Sequence, residues 1–138
     1  MFLEDVPVSY FAVIVAALAY FILGAIWYSP AVFGHRSMKH DAVLDDDFKK
    51  TPVILAYIGE LIISFVLAYI LALFIEITQA REILEGVVVA LWIWLGFIAT
   101  THFSAVLWAR KTLKSFFIHA GFMLFGFLLM GILIPALR

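Results

Sequence analysis

Apolar and polar positions fall along this chain in long blocks, without the short periods of a soluble helix or strand. Val6–Pro30 carries no charged residue, Pro52–Ile75 carries only Glu60, and Gly86–Ala109 and Ser115–Leu137 carry none. A hydrocarbon layer of roughly 30 Å needs about 20 apolar residues as a helix, so each block is long enough to cross a bilayer. The pattern predicts an all-α fold of four antiparallel transmembrane helices, at about residues 6–30, 52–75, 86–109 and 115–137, in one domain covering 1–138.

The flanks of the blocks carry stop and start signals. Pro7 suits the first turn of the first helix, where a missing N–H costs nothing. Trp27 and Tyr28 favour the headgroup level, and Pro30 turns Ser29 away from helical geometry, so the first span is expected to end there. Thr51-Pro52 reads as an N-cap followed by proline at the first helical position. Between them, residues 32–51 form the one long polar stretch. Its Asp45-Asp46-Asp47 run reads as the start of a short surface helix that ends on Lys49 and Lys50, in keeping with the helix dipole. Glu76–Glu85 reads as a tight hairpin, and residues 110–114 as a second short connection.

Composition sharpens this picture. Of 138 residues, 66% are hydrophobic and only 14% charged, with mean hydropathy +1.12. Soluble domains run at roughly 45–50% apolar and 25% charged. The net charge of −1 offers no basic field for nucleic acid, and the absence of cysteine excludes disulfides and thiolate chemistry. The acidic start, Met1–Pro7, lacks the positive region of a secretory signal, so the first block is expected to be a mature helix. Seven of the nine basic residues (Arg36, Lys39, Lys49, Lys50, Arg110, Lys111 and Lys114) lie in the 32–51 and 110–114 connections. The positive-inside rule therefore expects those two loops in the cytoplasm and both termini outside.

Four stretches together resemble the DUF1761 family of bacterial integral membrane proteins, a domain of unknown function. They are AVIVAALAYFILGAIWYSPAVFG in the first block, the Leu67–Leu73 region of the second, WLGFIATT in the third, and IHAGF with LLMGILI in the fourth. The segment from Trp27 through Pro30 to Phe33 and Gly34 carries most of the likeness. The resemblance implies a four-helix membrane protein and supplies no activity.

Candidate chemistry rests on the few polar groups within the blocks. An acidic side chain in hydrocarbon is costly unless paired, protonated or hydrated, which singles out Glu60. It lies roughly 12 Å along its helix from Pro52; His102 lies at a similar depth before Arg110, and His119 roughly 8 Å past Lys114. The hairpin topology thus brings one carboxylate and two imidazoles to similar heights, with small or polar neighbours favouring an inward facing. Three readings are open. Glu60, His102 and His119 titrate as a proton-linked site, or they ligate a metal such as zinc, or each makes a helix–helix or backbone hydrogen bond and does no chemistry. No single helix carries two ligands at i, i+3 or i, i+4, so a metal site has no local preorganisation and none is expected.

Trp27 and Tyr28 are a candidate interfacial pocket for a cationic ligand, or simply an interfacial anchor. Thr100 and Ser104 are expected to bond back to their own helix. Gly121, Gly126 and Gly131 are expected to thin the fourth helix for packing. No Ser-His-Asp set, HExxH or phosphate-cradling glycine loop selects an enzyme or implies a cofactor. A unit this small encloses little volume. The expected partners are therefore the lipid bilayer and further copies of the chain in a homo-oligomer, with a proton or a small molecule as ligand. The functional expectation is a proton-linked transport or channel-like role using Glu60. The alternative is a non-catalytic membrane interaction or assembly subunit.

Overall fold

The structure is a computed structural model that describes residues 5–29 and 53–138. Pro30, the polar stretch 32–51 with its aspartate triplet, and the Thr51-Pro52 start signal lie outside the described residues. The described residues form four helices and no strand: α1 (Tyr10–Trp27), α2 (Val53–Ile77), α3 (Ile83–Trp108) and α4 (Leu113–Leu137). Each is long and apolar enough to cross a membrane. The four-helix, all-α expectation is met, with shifts at the ends.

Local chemistry explains the shifts. α1 starts at Tyr10 because Ser9 caps it, its hydroxyl accepting from the Ala12 N–H, so Pro7 precedes the helix and does not occupy its first turn. α2 runs two residues beyond the expected Ile75. It closes on Gln79 in left-handed geometry (φ 58°), with Ala80 N–H donating to the Ile75 carbonyl and Gln79 N–H to that of Glu76, a Schellman closure. The connection to α3 is therefore only Thr78–Glu82. α3 begins earlier than the expected Gly86, through a capping box in which Glu85 Oε2 accepts from the Glu82 N–H at 3.1 Å. Thr112 caps α4 by accepting from Ser115 N–H at 3.0 Å, which adds two residues to that helix.

α3 contains a feature that the apolar pattern does not reveal. Its segment Trp94–Ala99 is a π-helical turn joining regular α-helix on both sides. Such a turn inserts one residue and rotates everything beyond it relative to the first half. The first half packs closely on α4, whereas Thr100–Trp108 contributes no buried residue.

In cross-section the order is α2, α1, α4, α3, with α4 held between α1 and α3. The inner surfaces are built largely from small residues, including Ala12, Ala16, Ala17, Ala68, Ala72, Ala90 and Ala120, with Tyr20, Phe122, Phe127 and Met130 filling the seam between α1 and α4. The outer surface carries the large apolar side chains, among them Phe11, Ile22, Ile54, Trp92 and Phe97. Small inside and large outside is how helices associate in lipid, where close backbone approach replaces the hydrophobic drive. In water such a surface would be one continuous sticky patch. The fold is consistent with a multi-pass membrane protein.

At two crossings glycine is indispensable. A Cβ on Gly131 would lie 2.8 Å from the Gly86 carbonyl oxygen, so the backbones of α3 and α4 touch there. A Cβ on Gly126 would run into the Tyr20 ring, which α1 seats against α4 at that point.

Candidate functional site

The polar side chains that the fold brings together lie along the α1–α4 seam. Tyr20, Gly24 and Tyr28 follow one another at i, i+4 and i+8, so they share one face of α1. That face looks onto α4. Phe122, 4% exposed, lays its ring against Gly24, where a Cβ would come within 3.1 Å of the ring tip. The same ring contacts both tyrosines, with centroids 4.9 Å from Tyr20 and 5.3 Å from Tyr28. The packing is reciprocal: Phe122 fills the notch at Gly24, and Tyr20 fills the notch at Gly126.

On one side of Phe122, toward the end where α1 finishes and α4 begins, Tyr28 and His119 pair. The Tyr28 hydroxyl and His119 Nδ1 share a 2.7 Å hydrogen bond, and the rings stack at 5.4 Å. A neutral imidazole accepts this bond in one tautomer and donates it in the other, so the pair is suited to handing a proton between ring and hydroxyl. Two indoles hold the turn that bears His119. Trp27 Nε1–H of α1 donates to the Ile118 carbonyl at 3.0 Å, and Trp94 Nε1–H of α3 donates to the Ala120 carbonyl at 2.9 Å. These carbonyls flank His119 in sequence. Three helices are thereby fastened at one turn of α4, and Trp94 is the first residue of the π-helical segment.

Glu60 stands on α2 and is half-buried. Among the described residues Glu60 makes no ion pair and its carboxylate accepts no hydrogen bond; its backbone carbonyl accepts from the buried Ser64 hydroxyl at 2.8 Å. Glu76, the other carboxylate within α2, is by contrast neutralised by Arg138 and by Arg81 at 3.5 Å.

The three sequence-derived candidates thus fall in different places. His119 joins Tyr28, and Glu60 stands apart from that pair on α2. His102 joins neither. It is half-exposed on the outer half of α3 and donates through Nδ1 to the Ile98 carbonyl of its own helix at 3.0 Å. The π-helical turn lies just before it, and beyond that turn α3 contributes no buried residue. Among the described residues no three His, Asp or Glu side chains are grouped to hold a metal ion. Trp27 and Tyr28 spend their polar atoms on α4, and the Trp27 ring lies against Phe122 and Phe125. Thr100 does bond back to its own helix, at the Gly96 carbonyl.

Tyr20, Phe122 and Trp94 did not stand out in the sequence. Aromatic residues are abundant here, so no single one draws notice; the usable signal was the Tyr20–Gly24–Tyr28 spacing. An open groove of about 400 Å³ lies elsewhere, between the outer half of α3 and Phe116, lined by Leu95, Ala99, Phe103 and Leu107 among others. Its wall is apolar and none of the candidate residues reaches it.

A family described as protein of unknown function, DUF1761, matches residues 11–134. The chain belongs to the DUF1761 family. The matched region takes in nearly all of the four helices and every residue of the α1–α4 seam. Comparison of this DUF1761 protein with curated proteins and with solved structures gives no match.

Proposed function

We propose that this DUF1761 protein is a small multi-pass membrane protein with a proton-linked transport or channel-like role, in which Glu60 is the protonatable group. The observation that carries this reading is the state of Glu60. It is an acidic side chain in an apolar span, without an ion pair among the described residues, whereas Glu76 on the same helix is doubly paired. A carboxyl left in this condition is costly to keep charged, and intramembrane carboxyls of this kind commonly mark ion or proton routes. The Tyr28–His119 pair supplies further groups able to exchange protons.

In the proposed orientation the basic connections face the cytoplasm and both termini face outward, following the distribution of Lys and Arg. Glu60 and His119 then lie in the cytoplasmic half. A homo-oligomer would enlarge the path that one four-helix unit encloses.

The test is charge movement in proteoliposomes after a pH jump, with wild type beside Glu60→Gln. A wild-type current that disappears in Glu60→Gln supports the reading. A Glu60→Gln current equal to wild type would remove Glu60 from it. A second reading, a non-catalytic assembly subunit, draws on α3, the least covered of the four helices, whose outer face would then meet another protein. It expects no current, and Glu60→Gln to leave the assembly intact.

A further inference from the structure

Beyond its π-helical turn α3 contributes no buried residue, so the chain's own helices leave that half uncovered. The open groove of about 400 Å³ lies there, between the outer half of α3 and the first turn of α4. Phe103 of α3 and Phe116 of α4 meet edge to face at 5.6 Å and join its two sides. Thr100 turns its hydroxyl back to the Gly96 carbonyl at 2.8 Å. Ser104, also in the lining, is exposed and makes no hydrogen bond among the described residues.

One end of the groove is positively charged. Leu107 and Phe116, both in the lining, are joined by the connection that carries Arg110, Lys111 and Lys114. All three are exposed, and none makes an ion pair among the described residues. Trp108, 85% exposed, follows Ser104 by four residues and so shares its face of α3. An exposed indole at the end of a span favours the headgroup level. From Leu107 the lining extends back to Leu95, roughly 18 Å along the helix. That is about the depth of one leaflet of a hydrocarbon core roughly 30 Å thick.

We propose that this face of α3 binds an anionic phospholipid. One acyl chain lies in the groove, and the phosphate sits against Arg110, Lys111 and Lys114. The length of the groove suits a single chain of a single leaflet, and the cations at its mouth suit a negative headgroup. Basic clusters beside a span attract anionic lipids in this way. Ser104, roughly one turn inside the end of α3, offers its hydroxyl to an ester carbonyl below the phosphate. A second copy of the chain suits the face less well. Packed about a twofold axis along the membrane normal, it would bring its own three cations to the same height, like charge against like. The site is separate from Glu60 and stands whether or not the protein carries a current.

Trp108 is placed to report on the groove. The full chain is reconstituted in phosphatidylcholine vesicles that hold a small, equal fraction of brominated phosphatidylglycerol or brominated phosphatidylcholine. Bromine quenches an indole on close approach, and subtracting the signal of Trp108→Phe isolates the Trp108 component. The expected result is an enrichment of phosphatidylglycerol at Trp108 of about fivefold or more, roughly the gain from one basic residue beside an anionic surface. The triple variant Arg110→Gln, Lys111→Gln, Lys114→Gln should bring the two lipids to parity. Lys111→Gln with Lys114→Gln should fall between, and serves if the triple variant does not fold. Ser104→Phe fills the groove with the charges intact and should also lower the enrichment.

Equal quenching by the two lipids in the wild type overturns the proposal. So does an enrichment unchanged in Ser104→Phe, because the cations would then gather anionic lipid around the protein without a groove site. Absence of quenching by either lipid overturns it as well, and places a second copy over this face.

Discussion

The 2.7 Å bond between Tyr28 and His119 crosses from α1 to α4 through an otherwise aromatic contact, with Phe122 beneath it. Replacing Tyr28 by Phe keeps the ring and deletes only the hydroxyl. The expected cost is about 1 kcal/mol, the net value of a typical hydrogen bond. Unfolding in a mild detergent, read by tryptophan fluorescence, measures it, and a displaced His119 ring resonance would localise the change to this pair. At this scale the sequence was uneven. Glu60 stood out because a lone carboxyl in an apolar block has no packing explanation. Tyr20 did not, because it becomes informative only when α4 sets Phe122 and Gly126 against its ring. His102 and His119 looked alike in sequence, each a lone imidazole in an apolar run. Their difference comes from tertiary structure: His119 meets Tyr28, whereas His102 bonds to the turn behind it.

The helices themselves were legible because the length of an uncharged run is a physical requirement of the bilayer. Their ends were less so, since caps such as Ser9 and Glu82 act through one or two hydrogen bonds that many similar positions could also make. The π-helical turn at Trp94–Ala99 was not legible at all. It leaves the apolar pattern unbroken and shows itself only through where Trp94 points. Glycines separate in the same way, by what surrounds them. At Gly131 the α3 backbone is already in contact, so Gly131→Val should push the two helices apart and destabilise the fold by about 1–3 kcal/mol, the usual penalty of overpacking. Gly59 faces open space, with nothing within 4 Å of where an added methyl group would sit. Gly59→Ala should hold or raise stability, by at most about 1 kcal/mol, through the better helix propensity of alanine. Thermal unfolding of the two variants side by side distinguishes packing from propensity.

Across the whole bundle, one long-range ionic contact joins elements that otherwise touch little. α2 and α4 meet only slightly, yet Arg138 pairs with Glu76 and donates through Nη2 to the Ala80 carbonyl at 2.7 Å. This fastens the end of α4 to the turn between α2 and α3. It also neutralises a carboxylate whose side chain is only 8% exposed, whereas Arg81, the second partner, is 65% exposed. The two arginines should therefore differ in weight. Arg81→Ala loses a solvent-exposed pair and should cost no more than about 1 kcal/mol. Arg138→Ala removes the buried partner and leaves Glu76 with only the exposed Arg81, which should cost about 1.5–3 kcal/mol, the range for hydrogen bonds to charged groups. Adding Glu76→Gln to Arg138→Ala should recover part of that loss, because the remaining amide no longer buries a charge. Denaturant unfolding of the two single variants and the double variant measures all three. Equal costs for the two arginines would place the contribution at the exposed end of the cluster, and α4 would then be held by its seams with α1 and α3 alone.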